Sequence, residues 1–350
     1  MGFTYVELFA GIGGFHLGLE AAGGELVFAN ERDKYAAQTY SAWFGSEKLI
    51  IDDIKNIDTR KLIPRHDVLC GGFPCQPFSI AGVSKKNSLG RKHGFKDQEQ
   101  GNLFFEIMKI VNSHKPKVVF LENVKNLTGH DKGRTWRVIQ ESLDRAGYEI
   151  KYSIIDASSW VPQRRNRVFI VAFSRKYFDK ESIKQFEFPQ PAKCGPKLKS
   201  ILHRKLPDKK YMLSNALWLY LQNYAENHRK KGNGFGFKLV DRDSVSPTMS
   251  ARYYKDGAEI LIKQPGWRNP RRLTPREAAR LMGFNAKYAK KHGFNRDFPI
   301  VVSDVQAYKQ FGNAVCPQVV ESIAQEIVKV LRIQEIRNGR KTISDFKRVS

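Results

Sequence analysis

Over residues 1 to about 175, short β-rich apolar runs alternate with stretches of helical periodicity, and this alternation constrains the fold more than any other feature. Segments in that order pack as a mainly parallel sheet with helices on its faces. Strand candidates are residues 5–9, 26–29, 68–70, 118–121, 152–155 and 168–172. Helical stretches lie between them at 15–22, 103–112 and 134–146, the last ended by Gly147. Each is expected to connect neighbouring parallel strands, so the expected fold class is α/β.

After about residue 180 the character changes. Pro189, Pro191, Pro196 and Pro207 fall among many lysines, and a Gly/aromatic/basic region follows to about residue 268. Helical pattern resumes at Thr274-Pro275-Arg276-Glu277, where Thr274 can cap and Pro275 fits the first helical position. A last helix, roughly 317–336, places Val319, Val320, Ile323, Ile327, Val330 and Leu331 on one face and is expected to return to the first domain. The expected organisation is a catalytic and cofactor-binding domain at 1–180, an inserted module at 181–268, a linking segment at 269–304, a returning helix at 305–336 and a basic tail at 337–350.

Charge narrows the partner. Sixty Lys and Arg against 35 Asp and Glu leave a net charge of +25 on 350 residues, which favours a polyanion, nucleic acid above all. No apolar run approaches the roughly eighteen residues needed to span a bilayer, and the first eight residues read as a core strand rather than a secretory leader. Four cysteines, Cys70, Cys75, Cys194 and Cys316, are too few and too scattered for a disulfide framework, in keeping with a reducing, cytoplasmic compartment.

Four constellations carry chemistry. Phe9-Ala10-Gly11-Ile12-Gly13-Gly14 is a glycine turn between the first strand and first helix, where an adenosyl ligand can approach bare backbone. His16 takes the third glycine position of G-x-G-x-x-G, so a pyrophosphate cofactor is not indicated. Glu31 can accept from ribose hydroxyls, and Asp53 can address an adenine amino group. Next, Gly71-Gly72-Phe73-Pro74-Cys75-Gln76-Pro77-Phe78-Ser79 puts a thiol on a loop at the sheet's carboxyl edge, the setting of a nucleophile. Glu122-Asn123-Val124 and Gln163-Arg164-Arg165-Asn166-Arg167 then deliver an acid and cations to the same cleft. No zinc site is expected: the deaminase pattern needs C-x-x-C, and residue 78 is Phe.

With these motifs in this order, joined by Arg272-Leu273-Thr274-Pro275-Arg276-Glu277 and Gln310-Phe311-Gly312-Asn313-Ala314-Val315, the chain resembles the DNA cytosine-5 methyltransferases nearly end to end. The resemblance implies a Rossmann-like S-adenosylmethionine-dependent methyltransferase sheet with a smaller inserted target-recognition domain. It also implies S-adenosyl-L-methionine as cofactor, beside Phe9, Ile12, Gly14, Glu31, Arg32, Asp53, Ile54, Pro74, Leu103, Asn313 and Val315. Arg32 departs from the aromatic often found there, and its guanidinium plane is expected to replace the stack on adenine. The catalytic residues implied are Cys75, adding to carbon 6 of a flipped cytosine; Glu122, donating to N3; and Arg165, binding O2. Gln76, Ser79, Lys85, Arg91 and Arg167 are expected to contact DNA, with residues 76 to about 100 forming a closing loop.

Within the inserted module, Lys231-Gly232-Asn233-Gly234-Phe235-Gly236-Phe237 and residues 248–260 look like the Dcm-type subgroup, which methylates an inner cytosine of a CC-containing palindrome. Arg252 is expected to read guanine, with Tyr254 and Lys255 also on the DNA. The implied protein is a nucleoid-associated monomer acting on double-stranded DNA, with a separate restriction endonuclease as a candidate companion. Two rivals are a tRNA cytosine-5 methyltransferase of similar fold and a catalytically inactive DNA-binding regulator.

Overall fold

The computed structural model describes residues 2–73, 103–192, 194–205 and 207–349, with side chains to residue 339. Its centre is a seven-stranded sheet in the order β3-β2-β1-β4-β5-β7-β6. The strands are β1 Phe3–Leu8, β2 Gly24–Glu31, β3 Leu49–Ile51, β4 Val68–Gly72, β5 Val118–Val124, β6 Tyr148–Asp156 and β7 Asn166–Ser174. The strands from β3 to β5 pair in parallel, whereas β7 runs antiparallel to both β5 and β6. The Rossmann-like α/β expectation holds, but one connection differs from it. The helix at Arg134–Arg145 joins β5 to β6, which are not neighbours, because β7 lies between them. The connection from β6 to β7 is too short for a crossover, so it returns the chain antiparallel.

Helices cover both faces of the sheet. On one, α1 (Gly14–Ala21) and the C-terminal helix bury Phe15, Leu19, Val320, Ile323 and Ile327 against Tyr5, Cys70 and Phe120. On the other, α3 (Leu103–His114) and α4 (Arg134–Arg145) bury Phe104, Ile107, Ile139 and Leu143 against Val6, Leu69 and Leu121. The helix α2 (Lys34–Phe44) follows β2 and is capped by Asp33, whose side chain accepts from Tyr35 N and Ala36 N.

A second body of core joins Met249, Tyr253 and Ile260 to α6 (Pro275–Leu281) and α8 (Asp304–Asn313). Thr274 and Glu277 cap α6 reciprocally as a capping box, with Pro275 inside the first turn. Glu277 also pairs with Arg271 at 2.7 Å, both side chains fully buried. Before most of this body the chain carries α5 (Asn215–Lys230), of which only Leu221 is buried; α7 (Ala286–Lys291) lies within the body, between α6 and α8.

The last helix, α9, runs Pro317–Val349, so the backbone of the expected basic tail is helical rather than a separate segment. No proline interrupts it, and Gly339 costs only about 1 kcal/mol in a helix interior. Its return onto α1 is close: a Cβ on Gly18 would lie 2.6 Å from Val320 Cβ. No helix among the described residues is long and apolar enough to cross a membrane.

Candidate active site

The strand order reverses direction at β1, with β2 on one side and β4 on the other, and a cavity of about 290 Å³ opens at the carboxyl ends there. The glycine turn forms one wall. Phe9, Gly11 and Gly13 all take positive φ, at 55°, 57° and 77°. Two of the three are glycine, for which that region is free of strain, and the non-glycine Phe9 marks the turn as a specified shape. Gly14 has a different reason to lack a side chain, since a Cβ there would stand 2.6 Å from the Val315 carbonyl oxygen.

Glu31 ends β2 and is fixed from two sides. Its Oε2 accepts from Gly11 N and its Oε1 from Asp33 N, both at 2.7 Å. Each carboxylate oxygen keeps acceptor capacity, which suits a pair of adjacent hydroxyls. Asn30 carries the next segment into place by donating to the carbonyls of Ile50 and Asp52, and so sets Asp53 at the rim. There Arg32 Nη1 lies 3.3 Å from Asp53 Oδ2, so the residue expected to stack on adenine is ion-paired with the residue expected to bind its amino group.

Phe9, Ile12, Gly14, Glu31 and Arg32 line this cavity, as do Asp53, Ile54, Leu103, Asn313 and Val315. Every expected cofactor contact within the described residues is thus brought to one hollow. Pro74 lies outside the described residues. The hollow fits a nucleoside-bearing sulfonium better than a dinucleotide. Apolar Phe9, Ile12 and Leu103 offer a surface for a base, Glu31 offers acceptors, and the Val315 backbone crowds the helix end at which a diphosphate would sit.

The other end of the same cavity is formed by Glu122 and Gly72, which are partners across β4 and β5. A Cβ on Gly72 would come within 3.1 Å of Glu122 Oε2, so glycine there leaves the carboxylate room. Asn123 donates to the Phe73 carbonyl at 2.8 Å and ties down the chain as it leaves β4. Cys75 follows two residues later and, with Gln76, Ser79, Lys85, Arg91 and the expected closing loop, lies outside the described residues. Glu122 is 9% exposed. Burial lifts its carboxyl above the usual carboxylate range, against the opposing pull of Arg167 and Arg165.

The two arginines of the Gln163–Arg167 motif sit otherwise than expected. Arg165, expected on the cytosine O2, is 2% exposed and donates to the carbonyls of Met249, Gly312 and Ala314 at 3.2, 2.9 and 2.9 Å. Its terminal nitrogens are committed to backbone, and it fastens the chain just before β7 to the turn at Met249 and to the end of α8. Burial and the neighbouring charge of Arg167 lower its pKa to about 9, which leaves it cationic at neutrality. Arg167, expected on DNA, instead points its Nε at Glu122 Oε1, 3.0 Å away. The register explains the exchange: Arg167 pairs with Val124 on the neighbouring β5, two residues from Glu122 and so on its face of the sheet, whereas Arg165 precedes β7.

Gln163 and Gly312 carry more of the site's architecture than the sequence showed. Gln163 is wholly buried, donates to the Leu281 carbonyl and accepts from Met249 N at 2.8 Å. A Cβ on Gly312 would fall 2.5 Å from Ala251 Cα, so the cofactor-side helix α8 touches the recognition turn with no room for a methyl group. In that turn Tyr253 is buried, donating to Ile260 O and accepting from Leu273 N. Its anchorage leaves Arg252 and Lys255 exposed and Tyr254 half-buried. The resemblance of residues 248–260 to the Dcm-type subgroup singled them out in the sequence; the Tyr253 anchor accounts for their presentation.

Comparison with known proteins agrees with this geometry. The family model for C-5 cytosine-specific DNA methylase matches residues 3–329. The DNA-cytosine methyltransferase of Escherichia coli (strain K12) is 41% identical, over 97% of this chain and 82% of that protein. The Type II methyltransferase M.NlaX of Neisseria lactamica is 45% identical over 94% of this chain and 97% of its own length. Among solved structures, the S. pombe Dnmt2 methyltransferase superposes with a TM-score of 0.68 at 18% identity, covering 95% of this chain and 98% of that one, which is a likeness of fold. The chain belongs to the C-5 cytosine-specific DNA methylase family and is a DNA (cytosine-5-)-methyltransferase.

Proposed function

We propose that the protein methylates a cytosine flipped out of duplex DNA, with Cys75 as nucleophile, Glu122 as proton donor and Arg167 rather than Arg165 as the cation of the reacting centre. Carbon 5 of cytosine is a poor nucleophile, so the ring must first be made electron-rich. Addition of the Cys75 thiolate to carbon 6 does this by turning the ring into an enamine. The charge that develops falls on N3, where a buried carboxyl with a raised pKa can hold and donate a proton. Arg167 holds Glu122 in position through Nε and donates to the Asn166 carbonyl through Nη1, which leaves Nη2 for the base O2. Expulsion of Cys75 and loss of the carbon 5 proton restore the aromatic ring. S-adenosyl-L-methionine, when bound, supplies a sulfonium methyl, and Glu31, Asp53 and the glycine turn are the residues that would hold it.

The observation that carries this reading is the placement of Glu122: buried, paired with Arg167, and facing the outlet of β4 that leads to Cys75 from the same hollow that Glu31 lines. Duplex DNA as substrate agrees with the +25 net charge and with the names of the relatives. The module at 181–268, through Arg252, Tyr254 and Lys255, is assigned the choice of site, with the inner cytosine of a CC-containing palindrome as its target class. The catalytic domain is assigned 1–180, with 269–304 linking and 305–336 returning to it. The enzyme acts as a monomer in the cytoplasm, independently of any companion nuclease.

A duplex carrying 5-fluorocytosine, which cannot lose its substituent, tests the chemistry. Incubation with S-adenosyl-L-methionine should give a covalent complex by denaturing electrophoresis and mass spectrometry, and Cys75→Ser should give none while retaining cofactor binding. An adduct surviving in Cys75→Ser, or methylation of tRNA in preference to DNA, would overturn the proposal. Bisulfite sequencing of plasmid DNA from an expressing host reads the site directly.

A further inference from the structure

We propose that His16, Glu20 and His292 form a binding site for one divalent transition-metal ion of the zinc class, joining α1 to the module that carries α7. One donor atom of each residue lies within 4.8 Å of the others. His16 and Glu20 are one turn apart on α1 and therefore share a face, and His292 is the C-cap of α7, so the three come together only in the folded chain.

The cluster is built rather than merely crowded. His16 Nδ1 lies 2.7 Å from the Tyr40 hydroxyl, which itself donates to Glu7 Oε2. With Nδ1 engaged by Tyr40, Nε2 is the His16 nitrogen left to bind a cation. A second polar group on the other ring nitrogen is the outer-shell arrangement that orients a ligating histidine. Phe44 stacks on the His16 ring at 4.1 Å between centroids and holds its plane. Glu20 Oε2 and His292 Nε2 approach to 2.9 Å, yet both are buried atoms without a hydrogen-bond partner among the described residues. A cation bound by both atoms would satisfy them together, in place of that poorly aligned mutual contact.

Distance and donor type fit zinc. Two imidazoles on one tetrahedral ion, with N–Zn bonds of about 2.0–2.1 Å, place their ring centroids about 5 Å apart. The His16 and His292 rings are 5.8 Å apart at 65°. Two imidazoles and a carboxylate form a borderline donor set suited to Zn(II) and its neighbours in the first transition row. The Glu20 side chain is 30% exposed, which leaves an entry path and a fourth position for water. Lys291 is the resident cation: its Nζ stands 3.5 Å from Glu20 Oε2 and donates to the Glu20 carbonyl. Being half exposed, it can swing away when a metal enters.

None of His16, Glu20 and His292 lines the cofactor hollow, so the ion acts as a clasp between two bodies and takes no part in methyl transfer. The test uses the full, untagged chain stripped with a chelator. Titration with Co(II) and Zn(II) should show one equivalent bound, with the visible absorption of tetrahedral Co(II) and a rise of several degrees in melting temperature under saturating Zn(II). His292→Gln and Glu20→Gln should each weaken binding at least tenfold and abolish the thermal shift, and Lys291→Ala should tighten binding. Absence of saturable binding, equal binding by His292→Gln, or no gain in Lys291→Ala would overturn the proposal. Circular dichroism of each metal-free variant separates loss of a ligand from loss of the fold.

Discussion

The hollow at the sheet's carboxyl edge and the module at 181–268, to which we assign site recognition, are built in opposite ways. Around the hollow, functional groups hang from strand ends whose backbones are paired across the sheet, and even the acid is pinned: Glu31 by two N–H groups, Glu122 by Arg167. In the recognition module the backbone is held by isolated bridges and turns, and α5 leaves Leu219, Tyr220 and Tyr224 exposed. The contrast separates two demands. Chemistry requires a few atoms held to fractions of an ångström, whereas reading a nucleic acid requires a surface that can vary without disturbing the chemistry.

That division can be broken experimentally. The largest effect should come from Glu122→Gln, which keeps the shape and loses the titratable proton; kcat should fall about 10²–10⁴-fold with the melting temperature nearly unchanged. A steady-state rate within tenfold of the parent would remove Glu122 from the mechanism. Arg165→Ala should instead act on the fold. It strands three buried carbonyls and opens a cavity, at a cost on the order of 3–5 kcal/mol in denaturant unfolding. A stable Arg165→Ala protein with a purely catalytic defect would restore the role that the sequence expectation gave it.

On the recognition side, Arg252→Ala should leave stability alone and relax site choice by about 1–3 kcal/mol of discrimination, read as new methylated positions in bisulfite sequencing. An unchanged pattern would remove Arg252 from the reading surface. The mildest effect concerns pH. Burial raises the Glu7 carboxyl in β1 to about 8. The native chain then holds a proton that the unfolded chain has released, so stability declines as pH rises from the unfolded carboxyl range, near 4.5, through about 8. Glu7→Gln should flatten that decline by about a few degrees of melting temperature, and an identical slope in parent and variant would refute the assignment.

How much of this was legible in the sequence follows from the same contrast. Every strand expected from apolar runs exists; the central ones are buried on both faces and so must be written in apolar residues, while the edge strand β6 shows its aromatic and β-branched residues despite exposing Tyr152 and Ile154. The three-residue β3 was too short to leave a pattern, and the antiparallel insertion of β7 was not legible, since a buried strand reads alike in either direction. Glu31 was visible because it closes the second strand twenty residues after Gly11 in the glycine turn, and Asp53 as an acid following the next segment. The roles of Arg165 and Arg167 were not. Two arginines two residues apart are alike in sequence, and only the folded chain shows that Arg167, on β7, faces an acid across the sheet while Arg165, just before the strand, faces three carbonyls from other segments. The His16, Glu20 and His292 cluster was hidden for a related reason, its third member arriving from a distant helix.

The joint at Gly312 and Ala251 has a consequence for how such enzymes change their targets. Because the main chain at residue 251 rests directly on a helix that cannot accommodate even a methyl group, any transplanted reading head must bring its own backbone to the same spot. Splices made outside residues 248–260 preserve that seating, and splices made within it would tilt the new head away from the reacting base.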